Sequence, residues 1–466
     1  MWSGDLPANS QSLISLTLGF IFVAFLSALL MGRHAALGLG FGGASKLVFG
    51  ALLGRVIVEA RWGVTLLFAV FWLRHVLLWG ERLWEVLSGP LQGAPSGKVI
   101  FAGVGLLLIA LCYKLSRDGL GKIFRNYLYL FSSLNILFLG LVIFAFRVGI
   151  EQKISILSGM RLSGSGLDWN NSALVVLLTL PLWLSSLEWS KYYGHGLVRV
   201  NDELRARFFT YLPLGYCLLG VAFLLGAAVI TGVSSPEEGS LSGGIVAQSA
   251  AFGGVIGGCI ALALEINALL LLMPLHVFFA PQQAIKAYQS RGSTGEARLL
   301  LTAFVLPILY FAAFELELWA SFKALFLLFA LWLCQCVGIC IVALAPRFLW
   351  RYCRADGMNS ILRLHASESS VVQKSAGLIA CAALLGNAFL LFFEKQEHLY
   401  LPLFAGTCIA SLVFVCCVKV FMKASQVHTA RRSTEMSVET MEEEPTEGRT
   451  DPGFYFEDAD KSRKTD

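Results

Sequence analysis

Two acidic residues lie inside long apolar stretches of the sequence, where an ionised group is costly to keep. Glu265 is embedded in CIALALEINALLLLMP and is followed two positions later by Asn267. Glu188 lies in PLWLSSLEWS, which begins at Pro181. Ionisable residues in such surroundings usually face a cavity and serve a function. We therefore expect both carboxylates and Asn267 to contact a solute or a proton, with Glu265 carrying the coupling proton.

The segment around Glu188 has the composition of an interrupted helix. Pro181 removes one helical hydrogen bond, and nearby hydroxyl groups can satisfy the freed backbone or bind a ligand. Tryptophan rings offer flat walls that can also bind an amine through its positive charge. The candidate substrate-binding residues of this segment, besides Glu188, are Trp183, Ser185, Ser186, Trp189 and Ser190. A proline-kinked helix with interfacial tryptophans is the alternative interpretation.

These residues need a membrane bundle to position them. Of the 466 residues, 56% are hydrophobic and only 14% are charged, which excludes an ordinary globular protein. Apolar runs long enough to span hydrocarbon recur about eleven times, without the period of two of a β-barrel. The predicted spans are 12–31, 63–80, 98–114, 126–147, 172–189, 209–231, 245–279, 299–318, 323–345, 375–393 and 399–421. Residues 41–60, interrupted by charges, are expected to be interfacial or to begin the next span.

Basic residues concentrate in alternate loops, which predicts the topology. Placing those loops in the cytosol gives a short exterior N-terminus at 1–11, a membrane domain at 12–421 and a cytosolic C-terminus. The sequon at Asn170 then falls in an exterior loop and is a candidate N-glycosylation site. Residues 422–466 are acidic and poor in aliphatic side chains, so we expect a disordered tail. The host membrane is the plasma membrane or an endomembrane, and the oligomeric state is left open.

The sequence contains no complete motif for a nucleotide-binding or metal-dependent enzyme. The stretch SRDGLGK has Ser116 where a phosphate-binding loop requires glycine, and GLGFGG at 38–43 follows an apolar span and no strand. The seven histidines are scattered, and no cysteine pair has histidine partners for a metal site. We expect no enzyme, no metal, no organic cofactor and no nucleic-acid partner.

Three segments resemble the amino acid/polyamine permeases of the amino acid–polyamine–organocation superfamily. LPLWLSSLEWSKYYGHGLVRV is similar to their sixth helix and following loop, through Trp183, Trp189, Gly196 and Val198. GLGFGGASKLVFG resembles the loop after their second helix, and YQSRGSTGEARLLL the loop before their ninth. The resemblance implies the leucine-transporter-like fold with five-plus-five inverted repeats. In this register the chain begins at the family's second helix, so the usual first helix is expected to be missing.

The same segments also resemble the purine–cytosine permeases, which share that fold. Here EWSKYY is similar to their Asp-x-Ser/Thr-Arg-Tyr signature, and Asn267 to an asparagine placed about fourteen residues before a proline, Pro281. Hydroxyl groups for a sodium site are not evident near Asn267, so a proton is the expected coupling ion. The sequence therefore predicts a proton-coupled symporter of an amine-bearing solute, an amino acid or polyamine. A nucleobase permease and a non-transporting sensor or structural protein are the alternatives.

Overall fold

A computed structural model describes seven stretches of the chain: 40–88, 95–118, 120–151, 244–286, 296–344, 366–393 and 399–439. It also describes single positions between 18 and 22, between 173 and 188, and at 226, 229 and 288. The helices are α1 Phe41–Ser88, α2 Pro95–Arg117, α3 Leu120–Glu151, α4 Gly244–Leu272, α5 Ala280–Lys286, α6 Glu296–Phe314, α7 Trp319–Ala343, α8 Ala366–Phe393 and α9 Gly406–Glu439. Two π-helical segments, π1 Met273–Phe279 and π2 Leu401–Ala405, precede α5 and α9.

The described helices are those of a multi-pass membrane protein. Eight helical segments within the described ranges are long and apolar enough to cross a membrane. Large apolar side chains such as Leu128, Ile136 and Ile143 lie exposed along α3, as expected where hydrocarbon is the solvent. All eight predicted spans that fall in the described ranges are found as helices. The spans 12–31, 172–189 and 209–231 lie largely outside the described residues.

Residues 41–60 prove to be the start of a span. They form one long helix with the next predicted span, the 48-residue α1, which bends at Gly50. The long predicted span 245–279 is not one straight helix, since α4 bends at Gly254 and passes into π1 at Met273.

Two sets of three helices, α1–α2–α3 and α4–α6–α7, form an inverted repeat. Several packing contacts occur in equivalent pairs: α3 packs on α4 as α7 packs on α1, and α2 packs on α3 as α6 packs on α7. α1 also packs on its own equivalent, α4, and α2 packs on its equivalent, α6. The contacts Gly42–Ala284 and Gly258–Leu83 show that α1 runs antiparallel to α4, π1 and α5. The second set is therefore the first set turned over in the membrane.

The kinks of α1 and α4 are equivalent in this repeat. Gly50 has φ 79° and Gly254 has φ 57°, and these are the only positive-φ glycines of the described residues. Gly50 is the tenth residue of α1 and Gly254 the eleventh of α4. Only glycine takes such backbone angles without steric cost. In each set of three helices, the first helix thus bends after about three turns.

Basic residues mark one end of this bundle. We call the end at which α1 begins the basic end; helix termini there carry Lys114, Arg117, Lys122, Lys286 and Arg298. The opposite end is mixed in charge, with Arg147, Glu151, Glu315 and Lys323.

The chain divides into two units, residues 1–418 and 419–466. α9 extends to Glu439, past residue 421 where we expected the membrane domain to end. The disorder expected of the tail stays a prediction for the residues after Glu439, which lie outside the described ranges.

Candidate functional site

Glu265 lies where α4 crosses α1, near the middle of its membrane span. The indole N–H of Trp72 on α1 donates a hydrogen bond to Glu265 Oε2 at 2.9 Å. Among the described residues no donor reaches Oε1, and the side chain of Glu265 is partly exposed. Trp72 therefore fixes the orientation of the carboxylate through Oε2. Oε1 stays available to bind a proton or to accept a hydrogen bond from an N–H group of a solute.

Further aromatic rings lie along α1 on either side of Trp72. Phe68 contacts Trp72 edge to face, with 5.8 Å between the ring centroids. His75 approaches Trp79 in the same way at 6.2 Å, and the guanidinium of Arg82 lies 4.7 Å over the Trp79 ring. Edge-to-face contacts fix ring orientations. The Glu265 acceptor is thus bonded to one ring, Trp72, of an aromatic series on α1.

Asn267 faces a different helix. Its amide nitrogen donates to the Ala263 carbonyl at 3.0 Å, and Ser133 Oγ on α3 donates to Asn267 Oδ1 at 3.4 Å. Residues two apart on a helix point about 200° apart. The structure therefore turns Asn267 toward α3 while Glu265 faces α1, and the two side chains do not converge.

Glu188 is buried at the basic end, against the start of α1. The Gly42 amide donates to Glu188 Oε1 at 2.9 Å. Gly42 and Trp72 are thirty residues apart on α1, of which 22 follow the kink at Gly50, and a helix rises about 1.5 Å per residue. The two predicted carboxylates therefore belong to separate sites.

The other residues predicted around Glu188 lie outside the described residues. They are Trp183, Ser185, Ser186, Trp189 and Ser190, together with the sequon residue Asn170. Their proposed roles remain predictions.

Sequence reasoning missed Trp72 and Arg61. Trp72 belongs to a long apolar run and carries no local sign that it meets Glu265. Arg61 is fully buried on α1, and its Nη1 donates to the Leu184 carbonyl at 3.2 Å. The sequence held one sign of Arg61's importance, its spacing from a glycine. Arg61 follows Gly50 by eleven residues, and Glu265 follows Gly254 by the same number.

Within the described ranges, no group of three His, Cys, Asp or Glu side chains could hold a metal ion. The cysteines that the structure describes are all free thiols.

Comparison with solved structures identifies the fold. The chain superposes on Mhp1, a nucleobase-cation-symport-1 family transporter, in a closed conformation with bromovinylhydantoin bound, with a TM-score of 0.64 and 15% identity. That match covers 91% of this chain and 88% of Mhp1. An inward-facing conformation of Mhp1 matches with a TM-score of 0.61, also at 15% identity, over 91% of this chain and 87% of Mhp1. No protein-family profile matches the chain, and no curated protein matches its sequence.

The predicted fold class is confirmed: the chain has the leucine-transporter-like inverted-repeat fold. These neighbours do not belong to the amino acid/polyamine permeases that we took as the first resemblance. They belong to a nucleobase-cation-symport family, which is nearer to the purine–cytosine alternative.

Proposed function

We propose that this protein is a secondary active transporter of a small, planar, N–H-bearing solute of the nucleobase type. The observation that carries the proposal is the Trp72–Glu265 pair at the crossing of α1 and α4. In this fold, solute sites lie near the bilayer midplane at the interface of the repeats. Glu265 Oε1 would accept an N–H group of the solute, and the rings of Phe68, Trp72 and Trp79 would contact its faces.

The arrangement of charges favours this solute class over a polyamine. A polyamine has several ammonium groups and would be bound best by two carboxylates at a fixed spacing. Glu188 lies at the basic end, far along α1 from Glu265. The described part of the site offers one carboxylate with aromatic walls, which suits a planar ring with N–H donors. Mhp1, with bromovinylhydantoin bound, has the same fold.

Glu265 is the proposed coupling residue. A carboxyl group inside a membrane span can take up a proton from one side and release it to the other as access alternates. Trp72 would hold Oε2 in both protonation states, which leaves Oε1 as the atom that gains and loses the proton. The basic end would face the cytosol, since short cytosolic loops carry an excess of Lys and Arg.

The test is uptake of labelled nucleobases, amino acids and polyamines into transport-deficient cells that express the full chain. Nucleobase uptake that is saturable and competes with unlabelled uracil or hydantoin supports the proposal. Uptake of amino acids or polyamines without uptake of nucleobases would contradict the proposal and support the amine-bearing solute expected from the sequence. Binding of a solute by the purified protein without uptake would favour a sensor, the alternative from another functional class.

A further inference from the structure

A cluster of basic side chains lies at the turn between α2 and α3. Lys114 and Arg117 stand in the last turn of α2, and Lys122 and Arg125 in the first two turns of α3. All four side chains are exposed, and the connection between the two helices is short. We call these four residues the turn patch. It lies at the basic end of the bundle and has no part in the proposed solute site.

On α3 the turn patch continues the surface that faces hydrocarbon. Tyr129 follows Arg125 by four residues and Ile136 follows Tyr129 by seven, so the three side chains lie on one side of the helix. Tyr129 is 71% exposed and Ile136 is 70% exposed. The other side of α3 carries Leu134 and Leu141, which are buried in a hydrophobic cluster with residues of α4. The basic residues of α3 thus point away from the protein core.

The basic residues of α2 are placed in the same way. Leu107 and Leu111 precede Lys114 by seven and three residues, which puts all three side chains on one side of α2, and both leucines are exposed. On the other side Cys112 is fully buried, and Ser116 Oγ donates a hydrogen bond to the Pro274 carbonyl of π1 at 3.2 Å. In both helices, therefore, the turn patch ends an apolar surface that hydrocarbon covers.

The positive charge of the turn patch is largely uncompensated. Residues 114–125 contain the four basic residues and a single acidic one, Asp118. Asp118 lies 3.7 Å from Lys122 Nζ, and because both side chains are exposed this ion pair is weak. No carboxylate of the described residues pairs with the other three basic side chains. The patch therefore presents several free cations at the membrane surface.

We propose that the turn patch binds the headgroup of an anionic phospholipid, whose acyl chains lie along the exposed apolar sides of α2 and α3. Lys and Arg side chains at the end of a span extend their charged groups to the headgroup level, where clusters of them attract anionic lipids. Such a lipid complements both parts of the surface, the cations and the apolar side chains beside them. An acidic soluble protein would complement the charge alone. Lipid binding does not require transport, so this inference is independent of the proposed function.

The test measures binding of phosphatidylserine and of phosphatidylcholine with the same acyl chains to the purified full chain. Native mass spectrometry counts the lipids bound over a titration of each. We expect the double variant Lys122→Gln/Arg125→Gln to bind phosphatidylserine roughly thirtyfold more weakly, about fivefold for each cation removed. Its binding of phosphatidylcholine should not change. The exchanged variant Lys122→Arg/Arg125→Lys keeps both charges and should bind phosphatidylserine as the wild type does.

The control variant, Arg147→Gln/Lys323→Gln, removes the same amount of charge at the opposite end of the bundle. There Arg147 already pairs with Glu151 at 2.8 Å. This variant should bind phosphatidylserine as the wild type does. Melting temperatures in detergent show whether each variant is folded. A photoactivatable phosphatidylserine, crosslinked to the wild type, locates the lipid and should label peptides of α2 and α3.

The outcomes separate the lipid site from the transport proposal. Loss of phosphatidylserine binding confined to Lys122→Gln/Arg125→Gln, with crosslinks on α2 and α3, supports the lipid site even if no nucleobase is transported. Equal affinity of the wild type for the two lipids would overturn it. An equal loss in the control variant, or crosslinks confined to other helices, would overturn it as well.

Discussion

Arg61 and Glu265 occupy equivalent positions in the two repeats, each eleven residues after a glycine with positive φ. Trp72 and His276 are equivalent in the same way, each 22 residues after its glycine. The repeat thus places an ionisable residue in each half of the α1–α4 crossing, a base in one and an acid in the other. Arg61 is fully buried, whereas Glu265 is bonded to Trp72. The two halves therefore share a backbone arrangement but differ in their side-chain chemistry.

Replacement of Glu265 by Gln should abolish the dependence of uptake on external pH. If Glu265 carries the coupling proton, wild-type uptake rises as external pH falls, because the inward proton gradient grows. Gln keeps the acceptor for Trp72 but cannot exchange a proton. We also expect affinity for the solute to fall about tenfold, since the amide nitrogen of Gln, a donor, takes the place of Oε1, which accepted the N–H group of the solute. Initial uptake rates over a range of solute concentrations, at two external pH values, measure both effects.

Glu151→Gln is the control for this experiment. Glu151 is exposed at the end of α3 and pairs with Arg147 at 2.8 Å. Its replacement should leave uptake and its pH dependence unchanged. If uptake by the Glu265→Gln variant still depends on external pH, another group carries the proton.

Alanine at either kink glycine should destabilise the protein by similar amounts. Gly50 and Gly254 hold backbone angles that L-residues adopt only with strain, which costs on the order of 1–3 kcal/mol. Gly63→Ala, in the straight part of α1, should instead be neutral or stabilising, because alanine favours helix more than glycine. Thermal unfolding in detergent compares the three variants. Equal melting temperatures for all of them would contradict the assigned kinks.

The buried amides of Gln335 on α7 and Asn387 on α8 form a reciprocal pair. Gln335 Nε2 donates to Asn387 Oδ1 at 3.1 Å, and Asn387 Nδ2 donates to Gln335 Oε1 at 2.9 Å. Asn387→Leu should cost about 1–3 kcal/mol, since it leaves the buried Gln335 oxygen without its donor. Adding Gln335→Leu should recover part of that loss. A double-mutant cycle on unfolding free energies checks the coupling, and strictly additive effects would refute it.

Arg298 should not be replaceable by lysine. It pairs with both carboxylate oxygens of Glu59 and lies 4.1 Å over the ring of Trp62. Lysine can neither form the two-pronged pair nor stack in the same way. Arg298→Lys should lower the unfolding free energy by about 1–2 kcal/mol. The exposed Arg147→Lys change is the control, and an equal melting temperature for both variants would argue against the bidentate contact.

The proposed orientation predicts a glycan on Asn170. α3 ends at Glu151, opposite the basic end, so the loop that follows should be exterior. Asn170→Gln should then remove a glycosidase-sensitive mobility shift in a eukaryotic host. Asn171→Gln leaves the sequon intact and should keep the shift. A wild-type chain without any shift would leave the orientation unsupported, and a glycan retained in Asn170→Gln would place the acceptor elsewhere.

The length and hydropathy of the spans were readable from the sequence because a bilayer imposes both on each segment by itself. A span must be about twenty residues long and nearly free of charge whatever it packs against. Glu265 could be identified as a candidate from the sequence because a carboxylate within a membrane span is costly and usually has a function.

Which side chains meet was decided by the tertiary structure. Glu265 and Asn267 are two residues apart, and only the helical twist and the neighbouring helices send one toward Trp72 and the other toward Ser133. Glu188 and Glu265 resemble each other in sequence context, yet antiparallel packing places them in separate sites. Arg61 directly follows an apolar stretch interrupted by charges, and the long α1 buries it in the bundle. Such contacts join residues more than a hundred positions apart in the chain, which composition and spacing do not encode.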